Sequence, residues 1–170
     1  GTTFLNAHCQ QAVCGPSRVS LLTGLRPDTT RVYDLKTRFR DILPDAITMP
    51  QQFKANGYES IGLGKIFDPR STEGRKQMDS VSWSQPFLHP TSPSKDSLGY
   101  LDENVIAKIR ELQNGNITDR DKLLASIGKP AVDSANVEDE AYDDGMIAKR
   151  AVDLIRQLSK QNKSPTPAWP

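Results

Sequence analysis

The sequence predicts an α/β architecture, and three observations carry that reading. Residues 48–56 form a capped helical segment that runs through Gly57 into an apolar-alternating stretch, 58–64, a helix–turn–strand unit. Residues 143–158 repeat Ile147, Ala148, Ala151, Leu154, Ile155 and Leu158 at the helical period. The length, 170 residues, suits one domain better than two.

The elements follow in chain order. Residues 16–24 read as a short helix, because Pro16 suits a first helical position and Gly24 suits the left-handed residue that closes a helix. Residues 25–47 are mixed, mostly loop, with a short extended piece around 32–35. Thr48 then caps a helix whose first turn holds Pro50 and whose end is Gly57; Met49 and Phe53 share one face. The stretch 58–64 reads as a buried strand. Prolines 69, 86, 90 and 93 and weak periodicity make 69–100 a long excursion over the surface. Residues 102–112 are helical, with Val105, Ile106, Ile109 and Leu112 on one stripe, and 113–137 are polar and loop-like. The strongest helix is the one from 142 or 143 to 158. Prolines 165, 167 and 170 preclude regular structure at the end.

Composition narrows the function classes. Lys+Arg 22 against Asp+Glu 21 gives a formal charge of +1, without the basic stripe of a nucleic-acid binder. No run approaches the roughly 18 apolar residues of a membrane span. Two Cys and two His exclude a disulfide framework and a His-rich metal site. With 6% aromatics and 12 Pro, the core is thin for this length, so the chain is expected to be part of a larger folding unit. No targeting peptide is visible ahead of Cys14.

The chemistry-bearing stretch is Cys14-Gly15-Pro16-Ser17-Arg18-Val19-Ser20-Leu21-Leu22-Thr23-Gly24. A cysteine just ahead of a helix start sits where free backbone N–H groups and the helix dipole favour an anion. Arg18 comes round one turn to the same face, where a guanidinium can pair with a tetrahedral oxyanion. Three residues separate Cys14 from Arg18, too few for the phosphate loop of tyrosine phosphatases. Taken singly, Cys14 reads as a buried structural thiol near a cap. The whole string is far more specific.

Cys-x-Pro-Ser-Arg-x-x-x-Leu-Thr-Gly resembles the signature of the type I, formylglycine-dependent sulfatases at every fixed position. A second family motif, Gly-Tyr-x-(Ser/Thr)-x-x-x-Gly-Lys, is matched by Gly57-Tyr58-Glu59-Ser60-Ile61-Gly62-Leu63-Gly64-Lys65. Within the family, 4–14, 23–34 and Gly64-Lys65-Ile66-Phe67-Asp68-Pro69 look most like iduronate-2-sulfatases and their bacterial relatives. The resemblance spans residues 3–160.

The resemblance implies an alkaline-phosphatase-like sulfatase fold, a mixed sheet flanked by helices. Residues 1–170 would be a partial catalytic domain, truncated at both ends. Cys14 would be oxidised by a sulfatase-maturing enzyme to formylglycine (3-oxoalanine), whose hydrate attacks the sulfur of a sulfate ester and touches Ca²⁺. Arg18 would stabilise that hydrate and the charge of the metal site. Lys65, both catalytic and substrate-binding, would hold a sulfate oxygen. The other Ca²⁺ ligands would lie outside this chain, so the segment alone would be inactive. The implied substrate is a sulfated carbohydrate, a 2-O-sulfated uronic acid of a glycosaminoglycan, and the implied location is extracytoplasmic: periplasm, secreted or lysosomal. Formylglycine phosphonate-monoester and phosphodiester hydrolases share the Cys-x-Pro-x-Arg string and form the alternative reaction class. An inactive, truncated sulfatase-like fragment is the non-enzymatic alternative.

Four further features read as structural. Asp68 stands where the subfamily often has His, and a turn residue ahead of Pro69 accounts for it. Asp143-Asp144 opens the strongest helix, where acidic residues complement the positive end, so the pair is not taken as a metal site. His8 and His89 read as packing or loop histidines, and Cys9 reads as a buried thiol.

Overall fold

The structure, a computed structural model, describes residues 1–92 and 98–160. These form two compact units, one comprising Gly1–His89 and the other beginning at Pro90. The proline-rich stretch 164–170 and Pro93 lie outside the described residues.

The first unit begins with α1, Cys14–Thr23, closed as expected by Gly24 at φ 71°. Two single-turn helices follow, α2 (Pro27–Thr30) and α3 (Phe39–Ile42), where a loop with an extended piece was expected. Helix α4, Met49–Ala55, starts with a full capping box: the Thr48 hydroxyl accepts from the Gln51 N–H, and the Gln51 side chain accepts from the Thr48 N–H.

No strand forms among the described residues. Among the described residues, the segment 58–64 forms one bridge, parallel, between Leu63 and Leu88. Around it Leu88 N–H donates to Gly62 O at 2.9 Å and Ser84 N–H to Ser60 O at 2.7 Å. Two such bonds do not make a ladder, and a strand needs a partner running alongside it. What the apolar alternation encodes here is close packing: a Cβ on Gly62 would lie 2.5 Å from the Phe87 ring and 2.8 Å from the Trp83 ring.

The core explains why 69–92 is not a surface excursion. Val19 and Leu22 of α1 pack with Val32, Phe39, Phe67, Met78, Trp83 and Phe87. Phe39 and Phe67 stack at 5.6 Å, Trp83 stands edge-on to Phe67 at 6.4 Å, and Phe87 edge-on to Trp83 at 5.5 Å. Three of these side chains come from the stretch read as loop, because anchoring aromatics at irregular spacing leave no periodicity to detect. A buried polar knot holds the same stretch: Asp79, fully buried, takes a forked pair from Arg40 Nε and Nη2 and a hydrogen bond from Ser82. Phe4, Leu5 and Leu21 remain largely exposed on this unit.

The second unit holds α5 (Glu103–Asn114), α6 (Arg120–Ser126) and α7 (Asp143–Lys160). Asp102 caps α5, and Ile109 is the buried member of its expected stripe. Helix α6 lies in the stretch expected to be loop; Asp119 caps it, and Leu123 and Ile127 are buried. Helix α7 buries Leu154, while Ile155 is exposed. Asp133 ties the unit together, accepting from the N–H groups of Leu101 and Asp102 and from the Tyr142 hydroxyl, at 2.7–2.9 Å. Among the described residues no helix is long and apolar enough to cross a membrane.

Candidate active site

The site is built where α1 begins. Val19 and Leu22 seat α1 on the core, and Phe67 seats the segment 64–68 on the same core. Gly64 turns that segment at φ 73°, in the left-handed region that glycine adopts freely. A 3-10 turn, Pro69–Ser71, then packs against the first turn of α1. The contact is tight: a Cβ on Gly15 would lie 2.6 Å from Ser71 Oγ. Glycine beside Cys14 is what lets the turn come this close.

Cys14 is the first residue of α1 and is partly buried. Val13 contributes no capping side chain, and Pro16 has no N–H, so the open donors belong to the first residues of the helix. The Cys14 thiol donates to Asp68 Oδ2 at 3.0 Å. Asp68 is 1% exposed and also accepts from Arg70 N, Nε and Nη2 at 2.9–3.0 Å. Lys65 Nζ stands 3.8 Å from the same Oδ2, and Arg70 Nη2 3.9 Å from Cys14 Sγ. The Arg70 guanidinium holds the Asp68 carboxyl far below the usual carboxylate range; burial opposes this, and the bonds from Cys14 and the Arg70 N–H add to it. Asp68 is therefore an anion with cations on two sides.

Arg18 lies one helical turn from Cys14, yet its guanidinium reaches the backbone of the facing segment. Nη1 donates to Lys65 O at 2.6 Å and Ile66 O at 2.8 Å. Among the described residues no hydrogen bond links Arg18 to Cys14. These bonds tie α1 to the segment that carries Lys65 and Asp68.

Of the residues singled out from sequence, Cys14, Arg18 and Lys65 come together in one place. Asp68 is the turn residue expected ahead of Pro69: it caps the Pro69–Ser71 turn through its bond from the Arg70 N–H. The same carboxylate faces Cys14, which its turn role did not reveal. Arg70 went unnoticed: its signal is the string Asp68-Pro69-Arg70, in which a proline-started turn folds an arginine back onto the acid two residues before it. Cys9 is exposed rather than buried, with its thiol donating to Gln11 O at 3.3 Å, and neither cysteine is in a disulfide. The whole stretch 1–10 ahead of α1 is exposed, so Cys9 is not covered. His8 is exposed, and His89 packs on the Phe87 ring at 5.0 Å. Asp143 opens α7 and accepts from Ser92 N–H within the second unit.

Two groups implied by the resemblance can be fitted against these residues. Calcium takes six to eight oxygen ligands. Among the described residues no three His, Cys, Asp or Glu gather as a metal site, and the one carboxylate at Cys14 is already engaged by Arg70. These residues do not by themselves build a calcium site. Formylglycine does fit: an oxygen substituent at position 14 would find the Asp68 carboxylate as acceptor and Arg70 alongside.

The chain matches the Sulfatase family over residues 1–165. It is 38% identical over 162 residues to the iduronate 2-sulfatase of Mus musculus, covering 95% of this chain and 26% of that protein. To the iduronate 2-sulfatase of Homo sapiens it is 49% identical over 89 residues, 52% of this chain and 16% of the relative. A sulfatase of Formosa agariphila is 46% identical over 80 residues, 44% of this chain and 16% of its own length. The chain thus spans about a quarter or less of the curated relatives it matches. The match over nearly the whole chain, with Cys14 at a helix start and bonded to Asp68, leads to one conclusion: this chain belongs to the sulfatase family.

Proposed function

We propose that the protein carrying these residues hydrolyses sulfate esters at position 14, and that 1–170 is part of its catalytic domain. The observation that supports this most directly is the placement of Cys14 at the start of α1, bonded to a buried carboxylate that two cations flank. The alkaline-phosphatase-like sheet of the whole catalytic domain is part of the same reading.

Formylglycine at position 14 supplies a hydrated aldehyde as nucleophile, which a thiol cannot do. The chain's own residues prepare the place for it. Asp68 accepts a hydrogen bond from whatever donor residue 14 carries, orienting it and holding a proton close. Lys65, half-exposed beside the carboxylate, is available to a sulfate oxygen and offsets charge that builds on the transferring group. Arg18 holds the 65–66 carbonyls, so the ammonium and the carboxylate keep their spacing from α1. Calcium belongs to this reading through the family alone, and no step is assigned to it. The substrate we propose is a sulfated uronic acid in a carbohydrate, following the names of the mouse and human relatives. A formylglycine-generating enzyme is the partner in maturation, and the compartment is extracytoplasmic.

The test is expression of the full-length protein with a formylglycine-generating enzyme, digestion, and mass spectrometry of the peptide holding position 14. Aldehyde at that position and hydrolysis of an aryl sulfate, both abolished by Cys14→Ala, are expected. Unconverted thiol under these conditions, or faster hydrolysis of aryl phosphate than of aryl sulfate, would refute the assignment.

A further inference from the structure

We propose that Arg70 is a substrate-anion contact in this site, set in place by Asp68 to receive an oxygen of the tetrahedral group held at residue 14. The sulfate-ester reading enters this inference only through the identity of the anion.

The geometry makes Arg70 different from an ordinary surface arginine. Exposed ion pairs hold two mobile side chains loosely and contribute little. Here the carboxylate is 1% exposed and accepts from Nε and Nη2 in a fork, so the guanidinium plane is fixed. The side chain is nonetheless 55% exposed, so the rest of the guanidinium is open to a ligand. Nη2 already lies 3.9 Å from Cys14 Sγ, and Nη1 has no partner among the described residues. A fixed cation loses little freedom when an anion arrives.

Charge points the same way. A lone buried carboxylate beside the reacting position would repel a sulfate. Arg70 neutralises it, and Lys65 and Arg18 add two further positive charges around the same segment, leaving the site cationic. The Asp68–Arg70 pair thus keeps a hydrogen-bond acceptor at residue 14 without making the site hostile to anions. Arginine also suits a tetrahedral oxyanion better than lysine, because its donors lie in one rigid plane.

The two cysteines supply a direct test that needs no turnover. In the full-length protein made without a maturing enzyme, Cys14 remains a thiol, and Cys9, exposed ahead of α1, is an internal reference. Alkylation by iodoacetamide is followed at both peptides by mass spectrometry, in inorganic sulfate or in chloride at equal ionic strength. Sulfate is expected to slow alkylation of Cys14 and not of Cys9. In Arg70→Ala and Arg70→Gln the sulfate concentration giving half-protection should rise about tenfold or more, and in Arg70→Lys by less. Two variants guard against one that folds poorly, and unchanged thermal melting of either qualifies it. Sulfate protection that survives both substitutions overturns the proposal, as does the absence of Cys14 protection in the unsubstituted protein. Arg70-dependent protection in a protein that fails to cleave aryl sulfate after maturation would sink the hydrolase reading and leave the anion contact standing.

Discussion

Replacing Phe67 by Ala should loosen the core and the candidate site together. The ring is fully buried, lies parallel to Phe39 at 5.6 Å and has Trp83 edge-on at 6.4 Å. Truncating a buried Phe to Ala costs about 3–5 kcal/mol, partly transfer and partly the cavity left behind. Against a typical total of about 5–15 kcal/mol, that is a large share. Phe53 provides the control: it is 49% exposed, and its ring meets that of Tyr58 edge-on at 5.2 Å. Phe53→Ala should cost less, about 1–3 kcal/mol, because only half of the ring's transfer free energy is at stake besides the aromatic pair and no closed cavity is left. Urea denaturation of both variants, read by tryptophan fluorescence, measures the difference, since Trp83 touches Phe67. The variant should also lose the difference in alkylation rate between Cys14 and Cys9, because Phe67 anchors the segment that brings Asp68 to the thiol. Equal losses of stability for Phe67→Ala and Phe53→Ala would refute the packing account, and an unchanged Cys14 rate would refute the link to the site.

Two further expectations concern the second unit. Burial pushes the Asp133 carboxyl up, but the hydrogen bonds from Tyr142 and from the Leu101 and Asp102 N–H groups outweigh it and hold the group below its ordinary value. A depressed folded-state value stabilises above the unfolded carboxyl pKa of about 3.9 and loses that contribution as pH falls through the folded value. Asp133→Asn should therefore flatten the acid limb of a stability–pH curve below about pH 4, and an unchanged limb would contradict it. Gly145 is the other position: a Cβ there would collide with the backbone of Asp139 and Glu140. Gly145→Ala gains about 1 kcal/mol of helix propensity but meets overpacking of about 1–3 kcal/mol against backbone that cannot rotate away. A net fall in Tm is expected, and a rise would mean that the 139–141 turn yields easily.

Much of this protein was legible in its residues. The helices at 49–55, 103–114 and 143–160 follow from caps, glycine stops and period, all of which act within a few residues. Short-range physics failed where order comes from elsewhere. The stretch 58–64 alternates like a strand, but a strand exists only where another segment supplies its ladder, and here one bridge forms. Trp83 and Phe87 sit in a region without periodicity, and only the packing of Phe67 and Gly62 against them makes it core. Helix α6 was hidden because seven residues with one buried side chain, Leu123, are too short for a period to emerge.

The candidate site divides the same way. Cys14, Arg18 and Lys65 carry a spacing that can be read along the chain, and the family follows from that spacing. Which of them touch does not. Arg18 turns to the 65–66 carbonyls, Asp68 turns from a simple cap into the partner of Cys14, and Arg70 joins only because a proline-started turn packs on Gly15. Sequence determined which chemical groups the site has available, since identity and local spacing are properties of the chain. Tertiary structure decided which carboxylate meets the thiol and which cation faces it, since those contacts join residues more than fifty positions apart.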